Sequence, residues 1–168
     1  KLKRLCDEPG YSLTDLASGG TLSDERPLSA VSFVENHDQA RSNPIINDKI
    51  LAYAWILTHE GYPCIFWFDY FNLGLARPGQ PDGIDALMQL HEQYAQGSRQ
   101  ILYVSDNLYL MQRRGGNGNP GLIFVLNNSR NEWKGISVDT GRPQQKFEAR
   151  AWCSVIDTGR PIDKTSDE

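Results

Sequence analysis

The strongest constraint on this chain is the stretch Ala30 to Asp38, AVSFVENHD. Val31 to Val34 is an apolar run of β-branched and aromatic character, and three polar residues able to do chemistry, Asn36, His37 and Asp38, follow almost at once. Such a run predicts a buried strand that delivers polar groups to its own carboxyl end. In α/β architecture ligands are met at that end, because the scaffold is rigid there and the following loop is free to vary.

The residues downstream extend the pattern. Ser42, Asn43 and Pro44 read as a loop, and Asn47 or Asp48 is a natural N-cap for a helix whose apolar face carries Ile50, Leu51, Ala54, Leu57 and Thr58, widened by Tyr53 and Trp55. Gly61 and Pro63 stop that helix. The apolar run Cys64 to Phe68 then predicts a second, fully buried strand. Strand, helix, strand between residues 31 and 68 is the signature of a right-handed βαβ unit with two neighbouring parallel strands. Asn72 to Gly83, rich in Gly and Pro, predicts a loop; a second helix follows with Ile84, Leu87, Met88, His91 and Tyr94 on one face, ending at Gly97. Upstream, residues 1–29 suggest a helix end, a turn, a short helical piece capped by Ser12 or Thr14, and a loop to Pro27.

From Arg99 the pattern changes. Short runs rich in Val, Ile, Leu, Phe, Tyr and Trp, namely Ile101 to Val104, Leu108 to Gln112, Leu122 to Asn127, Trp133 to Val138 and Phe147 to Ile156, alternate with turn residues. That spacing predicts an antiparallel sandwich or Greek key. The expected fold class is α/β followed by all-β, with a boundary near Gly97 to Gln100: residues 1–98 as one domain and residues 99–168 as a β-sandwich domain. Asp163 to Glu168 reads as disordered. Two parallel strands are not a complete sheet, and a (β/α)8 barrel needs roughly 250 residues, so the 168-residue chain is expected to be a fragment of a larger molecule.

Composition narrows the partners. With 39% apolar and 23% charged residues the chain is able to bury a core, and its net charge of -4 leaves no basic footprint for nucleic acid or an anionic membrane surface. No apolar stretch is long enough to span a bilayer. The three cysteines, Cys6, Cys64 and Cys153, show neither a disulfide framework nor metal-knuckle spacing. Cys64, inside an apolar run, is expected to be a small buried hydrophobe, and Cys6 with Cys153 is the one pairing left open.

Read from spacing alone, Asn36-His37-Asp38 is either a loop in which Asn and Asp make Asx turns beneath a surface histidine, or a functional site. Position favours the site, because three groups able to bind hydroxyls and oppose a developing cation stand just past a buried parallel strand. At these residues the chain resembles a known family. F-V-E-N-H-D, Phe33 to Asp38, is similar to the F-x-x-N-H-D motif of the alpha-amylase family of glycoside hydrolases, and Gly61 to Trp67 resembles that family's G-x-P-x-I-x-Y stretch leading through the eighth barrel strand. The two occur in the right order and at the right separation, with a β-rich tail behind them.

The resemblance implies that Val31 to Val34 is the seventh strand of a (β/α)8 TIM barrel and Cys64 to Phe68 the eighth, followed by a Greek-key β-sandwich. It implies that His37 hydrogen-bonds hydroxyls of the sugar at the cleavage subsite, that Asp38 is the third acidic residue, a transition-state stabiliser, and that Asn36 supports their geometry. Retaining glycoside hydrolysis uses one carboxylate as nucleophile and one carboxylic acid as proton donor around an oxocarbenium-like sugar, and a third anion beside that sugar adds electrostatic stabilisation. The family's nucleophile and acid belong to earlier motifs that nothing in residues 1–29 matches, so the piece alone is expected to be inactive and to need the missing N-terminal part of the barrel. Glu35, by strand alternation, points away from the face used by Asn36 and is expected to be structural.

The implied activity of the whole enzyme is cleavage of internal α-1,4-glucosidic bonds of starch or related α-glucans. The alternatives are a transglycosylase or maltodextrin hydrolase of the same fold, or a non-catalytic carbohydrate-binding module. Calcium is implied for the full-length enzyme, through an excursion after the third strand; no metal ligand is assignable in this piece. Chloride is not expected, since Cys64 and Ile65 stand where chloride-dependent members carry a basic residue. Secretion is expected from the polymeric substrate alone.

Several other residues have two readings. Arg41 either helps position the site through a carboxylate or is a solvated arginine. Asp69 and Tyr70 either line the cleft or, the favoured reading, belong to the core behind it. His59 and His91 lack metal-ligand spacing and are expected to be structural. RRGGNGNPG, Arg113 to Gly121, lacks the ending of a phosphate loop and is expected to join two strands of a hairpin. Trp133 and Trp152 are sugar platforms or, by the favoured reading, core residues.

Overall fold

The computed structural model of the chain describes residues 1–116, 118–129 and 132 with their side chains, and residues 134–139, 145–149, 153–156 and 164–167 as strands. Three short helices open the chain: α1 (Leu2–Asp7), α2 (Leu13–Ala17) and α3 (Leu22–Glu25), the last followed by a 3-10 turn over Pro27–Ser29. The cap of α2 is Ser12, whose hydroxyl accepts from the Thr14 N–H at 3.2 Å. Leu22–Glu25, within the stretch expected as a loop to Pro27, is helical because Thr21 and Asp24 form a reciprocal capping box that satisfies the first free N–H groups.

β1 (Val31–Phe33) and β2 (Tyr62–Cys64) pair in parallel around α5 (Lys49–Thr58), as the βαβ reading requires. Two details differ from the sequence expectation. β2 begins and ends earlier than the predicted run Cys64 to Phe68, and residues Phe68–Asn72 form a π-helical turn instead. Pairing decides this: β1 ends at Phe33, opposite Cys64, so a longer β2 has no ladder partner there. The strands are also not fully buried. Val31 is 63% exposed, Phe33 and Tyr62 are exposed as well, and Cys64, expected inside, is exposed. A parallel pair buries both faces only when helices and further strands cover it; these two strands form a two-stranded sheet with α5 on one side.

α5 is the most buried helix. Leu51, Ala52, Tyr53, Ala54, Ile56 and Leu57 are all in the core, and Asp48 takes the N-cap position in a left-handed conformation (φ 42). α6 (Ile84–Tyr94) packs Ile84 and Leu87 inward, while Met88 lies at the surface. At the turn after α6, Gly97 has φ +77, and a Cβ there would stand 2.0 Å from the carbonyl oxygen of Gly115, so only glycine lets the two backbones meet.

The β-rich remainder comprises β3 (Arg99–Val104), β4 (Leu108–Arg113), β5 (Leu122–Asn127), β6 (Lys134–Asp139), β7 (Gln145–Ala149), β8 (Cys153–Ile156) and β9 (Lys164–Asp167). They form antiparallel sheets of order β3-β4-β5-β8 and β7-β6-β9. β4 and β5 are joined through Arg114 to Gly121, the connection expected of RRGGNGNPG. The predicted single run Phe147 to Ile156 is two strands in different sheets, and the tail expected to be disordered contributes β9, paired with β6. Trp133, Trp152 and the side chain of Cys153 lie outside the described residues.

β4 and β5 are buried on both faces, and the alternation sorts their side chains. Tyr109, Met111, Leu122, Phe124 and Leu126 join the core that also holds α1, α2, α5 and α6 residues. Leu108, Leu110, Ile123 and Val125 form a second cluster with Leu102 and Tyr103 on the other face. One continuous core therefore runs from the helices into the four-stranded sheet. The architecture is a mixed α/β region followed by a β-rich region.

Candidate functional site

β1 carries the chain to Glu35 and Asn36 at its carboxyl end. Asn36 is the N-cap of α4 (His37–Ser42): its side-chain oxygen accepts from the backbone N–H of Asp38 at 3.1 Å and of Gln39 at 3.0 Å. An Asn at this position satisfies two orphan donors of the first turn, which is why the helix begins here. The cap sets the neighbours. His37 and Asp38 occupy the first turn, both exposed, with His37 Nε2 3.4 Å from Asp38 Oδ1.

The structure thus brings Asn36, His37 and Asp38 together on one turn at the carboxyl end of a parallel strand. Arg41 lies in the last turn of α4, exposed and without an ion pair among the described residues. A hollow of about 300 Å³ lies against α4, lined by Val34, Glu35, Gln39, Asn43 and Ile45. Neither His37 nor Asp38 lines it.

Beneath this exposed turn is a buried ionic cluster that sequence reasoning did not assemble. Lys49 Nζ donates to Glu35 Oε2 at 2.9 Å and to Asp69 Oδ1 at 2.8 Å, and Tyr53 donates its hydroxyl proton to Asp69 Oδ2 at 2.7 Å. Glu35 Oε1 also accepts from the backbone N–H of Ile45. Glu35 is 4% exposed, Lys49 8%, and Asp69 and Tyr53 not at all. Burial pulls Lys49 toward the neutral amine, but the hydrogen bonds to Asp69 and Glu35 outweigh it and hold its pKa above the ordinary lysine value. Tyr53 is pushed upward by burial and by the neighbouring Asp69, so it stays a donor. The inward placement of Glu35 and the core position of Asp69 agree with expectation. Lys49 was not singled out and Tyr53 was read only as part of the apolar face; their spacing of four, which puts both on one helix face, was the available signal.

The remaining candidates make contacts within the fold. Tyr70 donates to Asp85 of α6 and packs against the core. His91 Nδ1 donates to the Leu57 carbonyl at 2.9 Å. His59, the C-cap of α5, is buried and stacks on Trp55 with ring centroids 3.7 Å apart. Trp67 and Phe71, which sequence reasoning did not single out, form an exposed aromatic pair with centroids 4.0 Å apart. Among the described residues no group of three or more His, Cys, Asp or Glu side chains is arranged to hold a metal ion. The calcium that the family resemblance implies therefore finds no donor set among them. Among the same residues no helix is long and apolar enough to cross a membrane.

Known proteins resemble the chain over much of its length. No protein-family model matches the chain. An alpha-amylase of Geobacillus stearothermophilus is 34% identical over 108 residues, covering 60% of this chain and 20% of the relative. Sequence and structure comparisons converge on a relationship to the alpha-amylase family of glycoside hydrolases over most of the chain. It is also similar to a glucan 1,4-alpha-maltohexaosidase of Bacillus sp. (strain 707), 29% identical over 135 residues, 75% of this chain and 26% of the relative. The solved structure of an alpha-amylase from Malbranchea cinnamomea shares the fold, with a TM-score of 0.56 over 96% of this chain and 43% of that one at 15% identity. The chain thus spans about a fifth to a quarter of the length of these two curated relatives.

Proposed function

We propose that this chain is the carboxyl-terminal part of a retaining glycoside hydrolase that cleaves internal α-1,4-glucosidic bonds of starch or related α-glucans. The observation that carries the reading is the F-V-E-N-H-D motif at the carboxyl end of a strand in parallel pairing, with His37 and Asp38 turned outward by the Asn36 cap. In this reading residues 1–98 supply the last two β/α units of a (β/α)8 barrel, and residues 99–168 an antiparallel Greek-key β-sandwich. The exposed apolar side chains Val31 and Phe33 on β1 support it, because a buried parallel strand needs neighbours that this two-stranded sheet does not provide.

Asp38 then acts as the transition-state stabiliser. Its carboxylate, opposed to the positive charge that develops on the sugar ring, binds the transition state better than the ground state. His37 donates to hydroxyls of the same sugar, and hydrogen bonds of this kind strengthen as the ring flattens. The nucleophile and the proton donor come from the earlier part of the barrel, so this piece alone is inactive. Calcium binds the full-length enzyme through that earlier part. The polymeric substrate argues for a secreted enzyme.

The maltohexaosidase relative gives a second reading specific support: a hydrolase releasing short maltodextrins from the same bonds. Product length distinguishes the two. The test is the complete gene product assayed on soluble starch, with Asp38→Asn beside it. Turnover is expected to fall by about two orders of magnitude or more with an unchanged unfolding midpoint. Near-normal hydrolysis by the variant overturns the role of Asp38, and starch binding without cleavage by the unsubstituted protein favours a carbohydrate-binding module instead.

A further inference from the structure

We propose that Lys49 is a positioning residue for His37 and Asp38: by bridging Glu35 and Asp69 it fixes the carboxyl end of β1 against the turn that follows β2, and so fixes where the two site residues stand. The proposal rests on the glycosidase reading above. Its starting point is topological. Glu35 lies immediately before the Asn36 cap, and Asp69 lies in the π-helical turn Phe68–Asn72. The two carboxylates belong to the ends of two strands that are hydrogen-bonded only as far as Phe33 and Cys64. Beyond that register no ladder hydrogen bond holds the strand ends together. Lys49, in the first turn of α5, reaches both at 2.9 and 2.8 Å.

Energetics argue that the cluster is there for geometry. Burying an ammonium and two carboxylates is expensive, and apolar replacements of such clusters are often as stable or more so. What an ionic cluster supplies and an apolar one does not is directional constraint, since each hydrogen bond fixes a distance and an angle. Every carboxylate oxygen of the pair is engaged: Glu35 by Lys49 and by the Ile45 N–H, Asp69 by Lys49 and by the Tyr53 hydroxyl. Glu35 therefore ties down both sides of α4, through its own backbone before the Asn36 cap and through Ile45 after the helix. The helix that bears His37 and Asp38 is clamped at its base, while its first turn faces solvent.

Such a clamp matters for rate. A displacement of about 1 Å in a catalytic group costs on the order of 10²-fold in turnover, even when the substitution lies away from the chemistry. Lys49 touches neither substrate nor reacting atoms, so its effect must pass through the two residues it places.

The test uses the complete gene product, soluble starch, and the substitution Lys49→Met, which keeps an unbranched chain of similar length but has no donor. At a temperature where both proteins are fully folded by circular dichroism, kcat is expected to fall on the order of 10²-fold while KM changes by less than about threefold. A purely structural Lys49 would lower the unfolding midpoint and leave kcat of the folded protein unchanged; that result overturns the proposal. Should Lys49→Met not fold, Glu35→Gln in the same assay decides between the same two outcomes, because it removes one arm of the clamp and keeps the volume. Absence of starch cleavage by the unsubstituted protein overturns the glycosidase reading and the proposal with it. Cleavage that Lys49→Met or its substitute leaves intact overturns the positioning role alone.

Discussion

Tyr109 donates its hydroxyl proton to Nε2 of His59 across 2.9 Å, joining the C-cap of α5 to β4 of the four-stranded sheet. The other ring nitrogen, Nδ1, donates to the Trp55 carbonyl at 2.8 Å, so the neutral tautomer with its proton on Nδ1 satisfies both contacts. Burial holds the His59 pKa well below the ordinary histidine value, and the nearby Arg99 and Arg113 cations add to this against the weaker pull of the Trp55 carbonyl and Asp24. A histidine depressed in the folded state takes up its proton first in the unfolded chain. Its contribution to stability is complete above pH about 6.5 and is lost as pH falls below that value, by up to about 1.4 kcal/mol per pH unit. Urea unfolding at pH 7.5, 6.0 and 5.0 should show a steeper loss for the natural protein than for His59→Gln. Equal slopes would mean that His59 is not depressed.

Arg113 is a buried cation held entirely by backbone oxygens among the described residues. Its guanidinium donates twice to the Gly97 carbonyl, at 2.9 and 2.8 Å, and once to the Thr58 carbonyl at 3.0 Å, and so fastens β4 to the ends of α6 and α5. Replacement by Met leaves the buried Thr58 carbonyl without its donor, and removes both bonds to the exposed Gly97 turn, at an expected cost of about 2 kcal/mol. Arg113→Lys should recover less than half of that, because an ammonium cannot reproduce the planar fork. Thermal unfolding of the three proteins checks the order.

Asn36 is expected to matter first as a cap. Asn36→Ala removes the acceptor for the Asp38 and Gln39 N–H groups, which should cost about 1 kcal/mol, whereas Asn36→Asp keeps an acceptor and should stay close to the natural protein. Hydrogen exchange locates the effect: the amides of Asp38 and Gln39 should exchange faster in Asn36→Ala while those of α5 stay unchanged. Uniform acceleration through both helices would contradict a local role.

Much of the fold was legible from local signals. α5 and α6 follow from helical spacing of their apolar residues, β5 matches its predicted run Leu122 to Asn127, and the turn chemistry of RRGGNGNPG announced the β4–β5 connection. These signals are local because helical and strand periods are written into consecutive residues. The bounds of β2 were not legible, since a strand ends where its partner ends, and the partner is β1, a helix away in sequence. Exposure of Val31 and Cys64 was missed for a related reason: apolar character predicts burial only when something covers the residue.

The candidate site divides along the same line. That Asn36, His37 and Asp38 stand together just past a strand follows from consecutive residues alone, because all three lie within one turn of a helix whose cap is the first of them. What holds that turn in place comes from long-range contacts. Lys49 at a helix start reads as a surface residue, and its partners Glu35 and Asp69 lie 14 and 20 residues away in opposite directions along the chain. No periodicity connects them. They meet because β1 and β2 run parallel with α5 packed across them, bringing both strand ends over the first turn of that helix, where Lys49 supplies the cation that both buried carboxylates share.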